Sequence, residues 1–438
     1  MQLVERLQKR EATVGVIGLG YVGLPLARAF AEAGYRVIGF DVDTKKVEKL
    51  ERGESYIQAV PTETLQQLRE KGKFRATTDF DRLREVDAMC ICVPTPLTEH
   101  KDPDTSFIEK TGDAIGPRLK AGQLVVLEST TYPGTTDEIL RPRLEKHSGL
   151  KSSKDFYLAF SPERENPGQE QFRMTNIPKV VGADDADSRR AVAELYRPAV
   201  SQVVEVGSTR AAESTKLLEN IYRCVNIAMV NELKMLFDRM KIDIFEVIEA
   251  AKTKPFGFQA FYPGPGLGGH CIPLDPVYLS WKAREFDMTT RFIELAGEVN
   301  TKMPEWVIEK CMDSLNDRGK CMKGSKVLML GVAYKKDIDD VRESPALEIF
   351  DLLKKRGAQV VYHDPHIPFV GRGRHYEINL ESVALDERTI AEQDMILIVT
   401  DHSSVDYAKV CKHAKLVVDT RNATKEVRRP YESKVVLA

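Results

Sequence analysis

VGVIGLGYVGLPLARAFAEAGYRVIGFD, residues 14–41, decides the fold of this chain. An apolar, β-branched run (Val14–Ile17) leads into Gly18-Leu19-Gly20-Tyr21-Val22-Gly23. A helical stripe of Leu24, Leu26, Ala27 and Phe30 follows, then Gly34 and a second apolar run, Arg36–Phe40. Gly34 stands where a left-handed residue closes a helix. A GxGxxG alone is weak, since glycine is common; between a predicted strand and a predicted helix it reads as a dinucleotide turn. Its glycines serve the tight turn, the close approach of backbone to pyrophosphate, and helix–strand packing. The phosphates would rest on the helix N-terminus, where free N–H groups and the helix dipole favour anions. Asp41 follows Gly18 by 23 residues and ends the second strand. A carboxylate there bonds a ribose 2′-hydroxyl and repels a 2′-phosphate, which favours NAD over NADP, although Lys45 and Lys46 bring the opposite charge close by.

Working outward, buried strands are expected at Met89–Val93, Leu124–Leu127, Leu158–Phe160 and Val203–Val206, with helical patterns between several of them. Such alternation predicts a mainly parallel, doubly wound sheet. Near residue 210 the pattern changes. Ala211–Met240 holds no Gly or Pro, so a helix of about 45 Å is expected, capped by Ser208 or Thr209. A Gly/Pro-rich loop, Lys254–Pro276, precedes more helix to about Leu315. A second α/β unit then begins near Ser325, with strands at Lys326–Gly331, Gln359–His363, Met395–Val399 and Leu416–Val418 and a helix at Pro345–Arg356. VLMLGVAY (327–334) echoes VGVIGLGY (14–21), but Gly331 lacks the other two glycines, so its sheet end is expected to receive some ligand other than a dinucleotide. The expected fold class is α/β: two Rossmann-like doubly wound domains joined by a long central helix and a helical middle domain. The expected boundaries are 1–207 for NAD binding, 208–318 for the central helical part, and 319–438 for the C-terminal part.

Composition narrows the function classes. The 438 residues are 42% hydrophobic and 30% charged with formal net charge −2, which is ordinary for a globular α/β protein and gives nucleic acid no electrostatic hold. Residues 1–6 lack the apolar core of a signal peptide, and no run of 18 apolar residues offers a membrane span. The seven cysteines are scattered without a CxxC pair. No disulfide framework and no metal site are expected, and a reducing, cytoplasmic setting fits.

The least ordinary segment is FYPGPGLGGHCIPLDP, residues 261–276. Its glycines and prolines fix an irregular backbone whose free N–H groups can wrap a ligand. Cys271, with Asp275 four residues on, is a candidate nucleophile; taken alone, the loop equally allows a small buried hydrophobe. Lys216 and Asn220 share a helix face at i,i+4, which is either a solvated polar face or part of a site. Glu128–Gly134 (ESTTYPG) and Ser161–Gly168 (SPERENPG) each follow a strand, where open α/β sheets collect ligand groups and also carry ordinary connections.

Together VGVIGLGYVGLPLA, ICVPTPL, ESTTYPGTT, SPEREN, KLLEN, PGPGLGGHCIPLDP and KKDIDDVRESPA resemble the UDP-glucose/GDP-mannose dehydrogenases, the nucleotide-sugar 6-dehydrogenase family, from about Thr13 to about Ala423. The resemblance implies a four-electron oxidation of a sugar CH₂OH to a carboxylate with two NAD⁺. Cys271 would add to the intermediate aldehyde, Lys216 and Asn220 would hold the developing oxyanion, Thr130 and Glu163 would order water, and Asp275 would stand beside the nucleophile. It further implies NAD contacts by Gly18, Leu19, Gly20, Tyr21, Val22, Gly23, Asp41, Lys46, Pro94, Thr95, Thr130 and Arg342. Sugar-nucleotide contacts would come from Glu163, Arg164, Lys216, Asn220, Tyr262, Gly264, Gly266, Gly268, Lys335 and Arg421. Two departures from the UDP-glucose pattern, Arg164–Gly168 after the Pro-Glu pair and Leu274 before Asp275, look like the branch acting on UDP-2-acetamido sugars. Followed by Tyr278–Lys282 (YLSWK), the loop most resembles enzymes acting on UDP-N-acetylglucosamine, with UDP-N-acetylmannosamine and UDP-glucose as rival substrates. A UDP-sugar partner, no nucleic acid, no membrane and a homodimer through the long apolar helix are expected. A two-electron hydroxyacid dehydrogenase, which needs neither a cysteine nor the third domain, is the rival in another class; an NAD-binding protein without turnover is the non-enzymatic one.

Overall fold

The structure, a computed structural model, describes every residue except Met1, Gln58, Glu99, Lys101, 165–173, His270 and 373–375, and the side chains of Met174, Cys271, Pro273 and Glu377. The chain divides into two compact units, Met1–Glu219 with Val277–Met288, and Asn220–Pro276 with Thr289–Ala438.

The first unit is built on one sheet. Its strands are β1 (Thr13–Ile17), β2 (Arg36–Phe40), β3 (Phe74–Thr77), β4 (Ala88–Ile91), β5 (Leu124–Leu127), β6 (Tyr157–Phe160), β7 (Lys179–Gly182) and β8 (Val203–Val206). They lie in the order β3-β2-β1-β4-β5-β6-β7-β8. Neighbours pair in parallel except β6 and β7, which meet antiparallel at Phe160 and Gly182. The first six strands thus follow the dinucleotide-binding order, with the chain reversing on either side of β1 and β4. Helices cover both faces. Val14, Val16, Phe30 and Tyr196 belong to the core on one side, and Ile17, Met89, Val125 and Leu140 to that on the other. Continuous apolar runs are what such two-sided burial demands, and Leu124–Leu127 is fully buried along its length.

The sequence located β1, β2, β4, β5 and β6 to within two residues but passed over β3 and β7. Val203–Val206 is a strand in the expected place, yet it is not buried: it forms the edge of the sheet, with Val204 37% exposed.

The second unit carries β9 (Lys326–Leu330), β10 (Gln359–His363), β11 (Phe369–Arg372), β12 (Glu377–Glu381), β13 (Met395–Ile398), β14 (Val417–Asp419) and β15 (Val435–Leu437). Five of these form a parallel sheet in the order β10-β9-β13-β14-β15, and β11–β12 form a separate antiparallel pair. Again both faces are packed: Val327 and Met329 against Val307, Ile308 and Phe350, Leu328 and Leu330 in a cluster with Ile390 and Val410.

The echo between the two strand–turn segments has a geometric basis. Gly18 has φ +88° and donates its N–H to Phe40 O at 2.7 Å; Gly331 has φ +81° and donates to His363 O at 2.9 Å. Asp41, after β2, accepts Leu19 N–H at 2.8 Å, and Asp364, after β10, accepts Val332 N–H at the same distance. Each carboxylate pins the turn after the first strand of its own sheet. A positive φ is open to glycine without the Cβ clash that other residues meet.

The helix Thr209–Met240 has 32 residues, and Ser208 Oγ accepts Ala211 N–H at 3.0 Å at its start. A shorter helix, Ile244–Lys252, follows with Asp243 as its N-cap. One sequence expectation is corrected here. The irregular loop ends before Cys271, not at Pro276, because Cys271–Ala283 is helical, with Pro276 inside it. Pro273 falls in the first turn, where backbone N–H groups have no intrahelical partner, and Pro276 removes a single hydrogen bond. Two prolines therefore do not forbid a helix that starts this close to them.

Candidate active site

The turn Gly18–Gly23 fits a dinucleotide on steric grounds. A Cβ at Gly18 would lie 2.6 Å from Cys92 O, and one at Gly23 would lie 1.8 Å from Gly18 O, so both glycines are needed to close the turn. A Cβ at Gly20 would meet nothing within 4 Å; this is the face along which backbone approaches pyrophosphate. Asp41 is buried, and besides Leu19 N–H it accepts Asp43 N–H at 3.0 Å. A carboxylate can accept about four hydrogen bonds, so capacity for ribose hydroxyls is left. Lys46 Nζ stands 3.8 Å from Asp41, a loose pair that leaves the carboxylate in charge of the strand end. Tyr21 is exposed, Val22 half-buried, and Leu19 fully buried with its carbonyl accepting the Tyr56 hydroxyl at 2.6 Å.

The ends of β4, β5 and β6 supply the next residues. Pro94 is exposed, while the Thr95 hydroxyl donates to Thr130 O and Thr95 O accepts the Tyr278 hydroxyl. Thr130 is thereby fixed by backbone contacts. Its loop is fixed again at Gly134 and Thr136, whose N–H groups donate to Glu213 at 2.6 and 2.9 Å. Glu213 lies three residues before Lys216 on the long helix. Burial pushes its carboxyl up to about 7, against the hydrogen bonds from Thr136 and Gly134. Glu163 Oε1 accepts Arg164 N–H at 2.6 Å, and the Arg164 guanidinium pairs with Glu219 at 2.7 Å. Glu165–Gly168, singled out in the sequence, lie outside the described residues. Lys216 is 7% exposed and has no ion-pair partner within 4.0 Å among the described residues. A desolvated cation without a carboxylate is costly, and anions are the ligands that relieve it.

In the second unit, Asn220 and Asp275 come together. The Asn220 amide nitrogen donates to Asp275 Oδ2, and its carbonyl accepts the Arg223 guanidinium. Both are buried. Cys271 begins the helix that carries Asp275 one turn later; its side chain lies outside the described residues. The glycine loop packs on the sheet end that carries Gly331. A Cβ at Gly264 would lie 2.4 Å from Arg421 Nη1, one at Gly268 2.7 Å from Tyr334 Cβ, and one at Gly266 3.1 Å from Pro345. Arg421 Nε donates to Val399 O at 3.0 Å. Burial pulls its pKa down, with Asp401 and Asp419 opposing. Lys335 is half-buried and lowered by burial and by the neighbouring Arg223 charge. Tyr262 is exposed, its hydroxyl on Glu249 at 2.6 Å, and Arg342 is an exposed partner of Asp340 at 2.6 Å.

Asp337, His366 and His402 also gather within reach of one ion. His402 Nδ1, however, accepts Asp337 N–H at 3.0 Å and Nε2 faces Asp364 at 3.0 Å. Both ring nitrogens are occupied, which marks a structural network behind the β9 turn.

Sequence reasoning missed Tyr278, Glu213 and Lys179. Tyr278 was quoted only as part of YLSWK, and Lys179 left the trace of a lysine opening an apolar run, KVVG, directly after Pro178.

A parallel sheet in this order, with a glycine turn after β1 and a carboxylate after β2, defines a Rossmann-type dinucleotide-binding protein. Residues 12–200 match the NAD binding domain of the UDP-glucose/GDP-mannose dehydrogenase family, residues 210–302 its central domain and residues 328–426 its UDP binding domain. The chain is 34% identical over 393 residues to the UDP-N-acetyl-D-glucosamine 6-dehydrogenase of Salmonella typhi, covering 90% of each chain. It is 36% identical over 359 residues to the enzyme of that name from Pseudomonas aeruginosa, covering 82% of this chain and 84% of the relative. Among solved structures, the UDP-D-ManNAc dehydrogenase of Pyrococcus horikoshii superposes with TM-score 0.84 at 32% identity, covering 94% of this chain and 96% of the other. The chain belongs to the UDP-glucose/GDP-mannose dehydrogenase family, and NAD is its cofactor.

Proposed function

We propose that the chain oxidises UDP-N-acetyl-D-glucosamine at C6 to UDP-N-acetyl-D-glucosaminuronate, with residues 1–207 serving NAD, 208–318 carrying the cysteine, and 319–438 serving the UDP moiety. NAD⁺, when bound, accepts one hydride in each of two oxidations. The first removes a hydride and a proton from the C6 alcohol and leaves an aldehyde. The Cys271 thiolate adds to that carbonyl carbon, and the resulting thiohemiacetal has an sp³ C–H from which the second hydride leaves. Water then cleaves the thioester, returning the thiol and releasing the acid. Lys216 stabilises the oxyanion of the addition step electrostatically, as does the Asn220 amide, which Asp275 orients. Thr130 and Glu163 hold the water.

The observation that carries this reading is Lys216, a buried ammonium with no ion-pair partner within 4.0 Å among the described residues. The acetamido substrate is supported by the two relatives named for UDP-N-acetyl-D-glucosamine. The Pyrococcus structure favours a second reading, the C2 epimer UDP-N-acetylmannosamine. Purified protein with NAD⁺ and each of UDP-N-acetylglucosamine, UDP-N-acetylmannosamine and UDP-glucose should show highest kcat/KM on the first, with two NADH formed per sugar. One NADH per sugar would remove the four-electron reaction. Cys271→Ala should yield no uronate, and native acid formation by that variant would refute the thioester route. We also propose a homodimer in a reducing, cytoplasmic setting. Five apolar residues of the long helix, Leu218, Tyr222, Met229, Leu236 and Met240, are 46–69% exposed, and the six cysteines whose side chains are described are free.

A further inference from the structure

Lys179 opens β7 with its ammonium in the interior of the first unit. Nζ lies 2.8 Å from Glu128 Oε2 and 3.9 Å from Glu163 Oε2. The Lys179 and Glu128 side chains are 3% and 0% exposed, Glu163 16%. Glu128 directly follows β5 and Glu163 lies three residues past β6, so one cation from β7, which runs antiparallel to β6, serves two acids at adjacent strand ends. The other Glu128 oxygen accepts the Tyr196 hydroxyl, itself 3.6 Å from Cys90 Sγ. Of Lys179, Glu128 and Glu163, Glu163 is the most exposed. Burial pushes the Glu128 carboxyl up. Burial works against the Lys179 charge too, but the carboxylates of Glu128 and Glu163 outweigh it and hold the ammonium well above its usual range.

We propose that Lys179 is a positioning residue for Glu163: anchored by Glu128, its ammonium holds the Glu163 carboxylate directed at the end of β6, ready to take a proton from the water that cleaves the thioester. This rests on the role given to Glu163 above. A lysine that merely ties β7 into the sheet would be replaceable by any well-packed neutral pair, because exchanging a buried ion pair for apolar or neutral groups of like volume often preserves the fold. A positioning lysine is not replaceable in that way, since the charge-assisted attraction that directs the carboxylate leaves with the ammonium.

The test uses Glu128→Gln/Lys179→Met, which removes both buried charges together, assayed with whichever of UDP-N-acetylglucosamine and UDP-N-acetylmannosamine the native chain oxidises. NAD⁺ affinity by fluorescence titration verifies the fold. Thioester hydrolysis at neutral pH should slow about tenfold or more, and the acid limb of the kcat–pH profile should move up. Lys179→Arg should keep the native limb. Glu128→Gln alone leaves the ammonium to Glu163 and should move the limb down, which keeps the proposal testable if the double variant does not fold. A native limb in a folded double variant, or in Glu128→Gln, overturns the proposal. Glu163→Gln separates the two layers. Slow hydrolysis there beside a native double variant removes only the positioning role, whereas native hydrolysis in Glu163→Gln removes the role of Glu163 and this proposal with it.

Discussion

Gly264 shows how much one missing methyl group can govern. Its Cα faces the Arg421 guanidinium so closely that an alanine Cβ would lie 2.4 Å from Nη1. Arg421 cannot simply swing aside, because its Nε is already committed to Val399 O. Overpacking of this kind costs about 1–3 kcal/mol, and here it falls on a basic group proposed to hold substrate. Gly264→Ala is therefore expected to raise KM for the UDP-sugar about tenfold while the NAD⁺ dissociation constant stays within about twofold, as steady-state kinetics and a cofactor titration would show. That glycine was legible in the sequence as part of a ligand loop, but its partner was not, since 157 residues separate Gly264 from Arg421. The three glycines of the first turn were legible as a tight turn, because their geometry is local, whereas the bond from Leu19 N–H to Asp41 was not. Asn220 and Asp275 were each named without the hydrogen bond that joins them.

Among the elements, the long helix and the loop after β5 are tied by Glu213, whose carboxylate meets two backbone N–H groups and the Thr136 hydroxyl. Burial raises its pKa from 4.5 to about 7. A carboxyl raised on folding lends stability that is fully present below its unfolded pKa and lost as pH rises through the folded value. Urea denaturation of native protein and Glu213→Gln at pH 5 to 8 should reveal this as a difference between the two that shrinks with rising pH, by up to about 3 kcal/mol, at 1.36 kcal/mol per unit. A constant difference would contradict the raised value. Elements with strong periodicity or continuous apolar runs were read closely. The strands missed were short: β3 (FRAT), β7 with its lysine, the β11–β12 pair and the edge strand β15 (VVL). The first turns of the Cys271–Ala283 helix were read as loop for a different reason, because prolines dominate them.

For the whole molecule, the exposed apolar residues of the Thr209–Met240 helix carry the expectation of a dimer. Leu236 is 50% and Leu218 69% exposed, and exposed large apolar residues on one helix are the usual material of association sites. Light scattering should give twice the chain mass of 49.3 kDa, and Leu236→Asp should shift the protein toward monomer; a monomeric native protein would sink the interface. Length, composition and the order of patterns conveyed two α/β sheets with helices between them, whereas residue spacing could not convey that the second sheet runs β10-β9-β13-β14-β15 with an inserted hairpin.

The two turns pinned by Asp41 and Asp364 start alike and part company within a few residues. Counting from Gly331 as from Gly18, Ala333 stands at the place of Gly20 and Lys336 at that of Gly23, where any side chain would strike the turn's own first carbonyl. The second turn must therefore take a wider path, and its next helix begins only at Pro345. An inhibitor designed as a dinucleotide mimic will consequently find a single berth per polypeptide, and its titration should saturate at one equivalent.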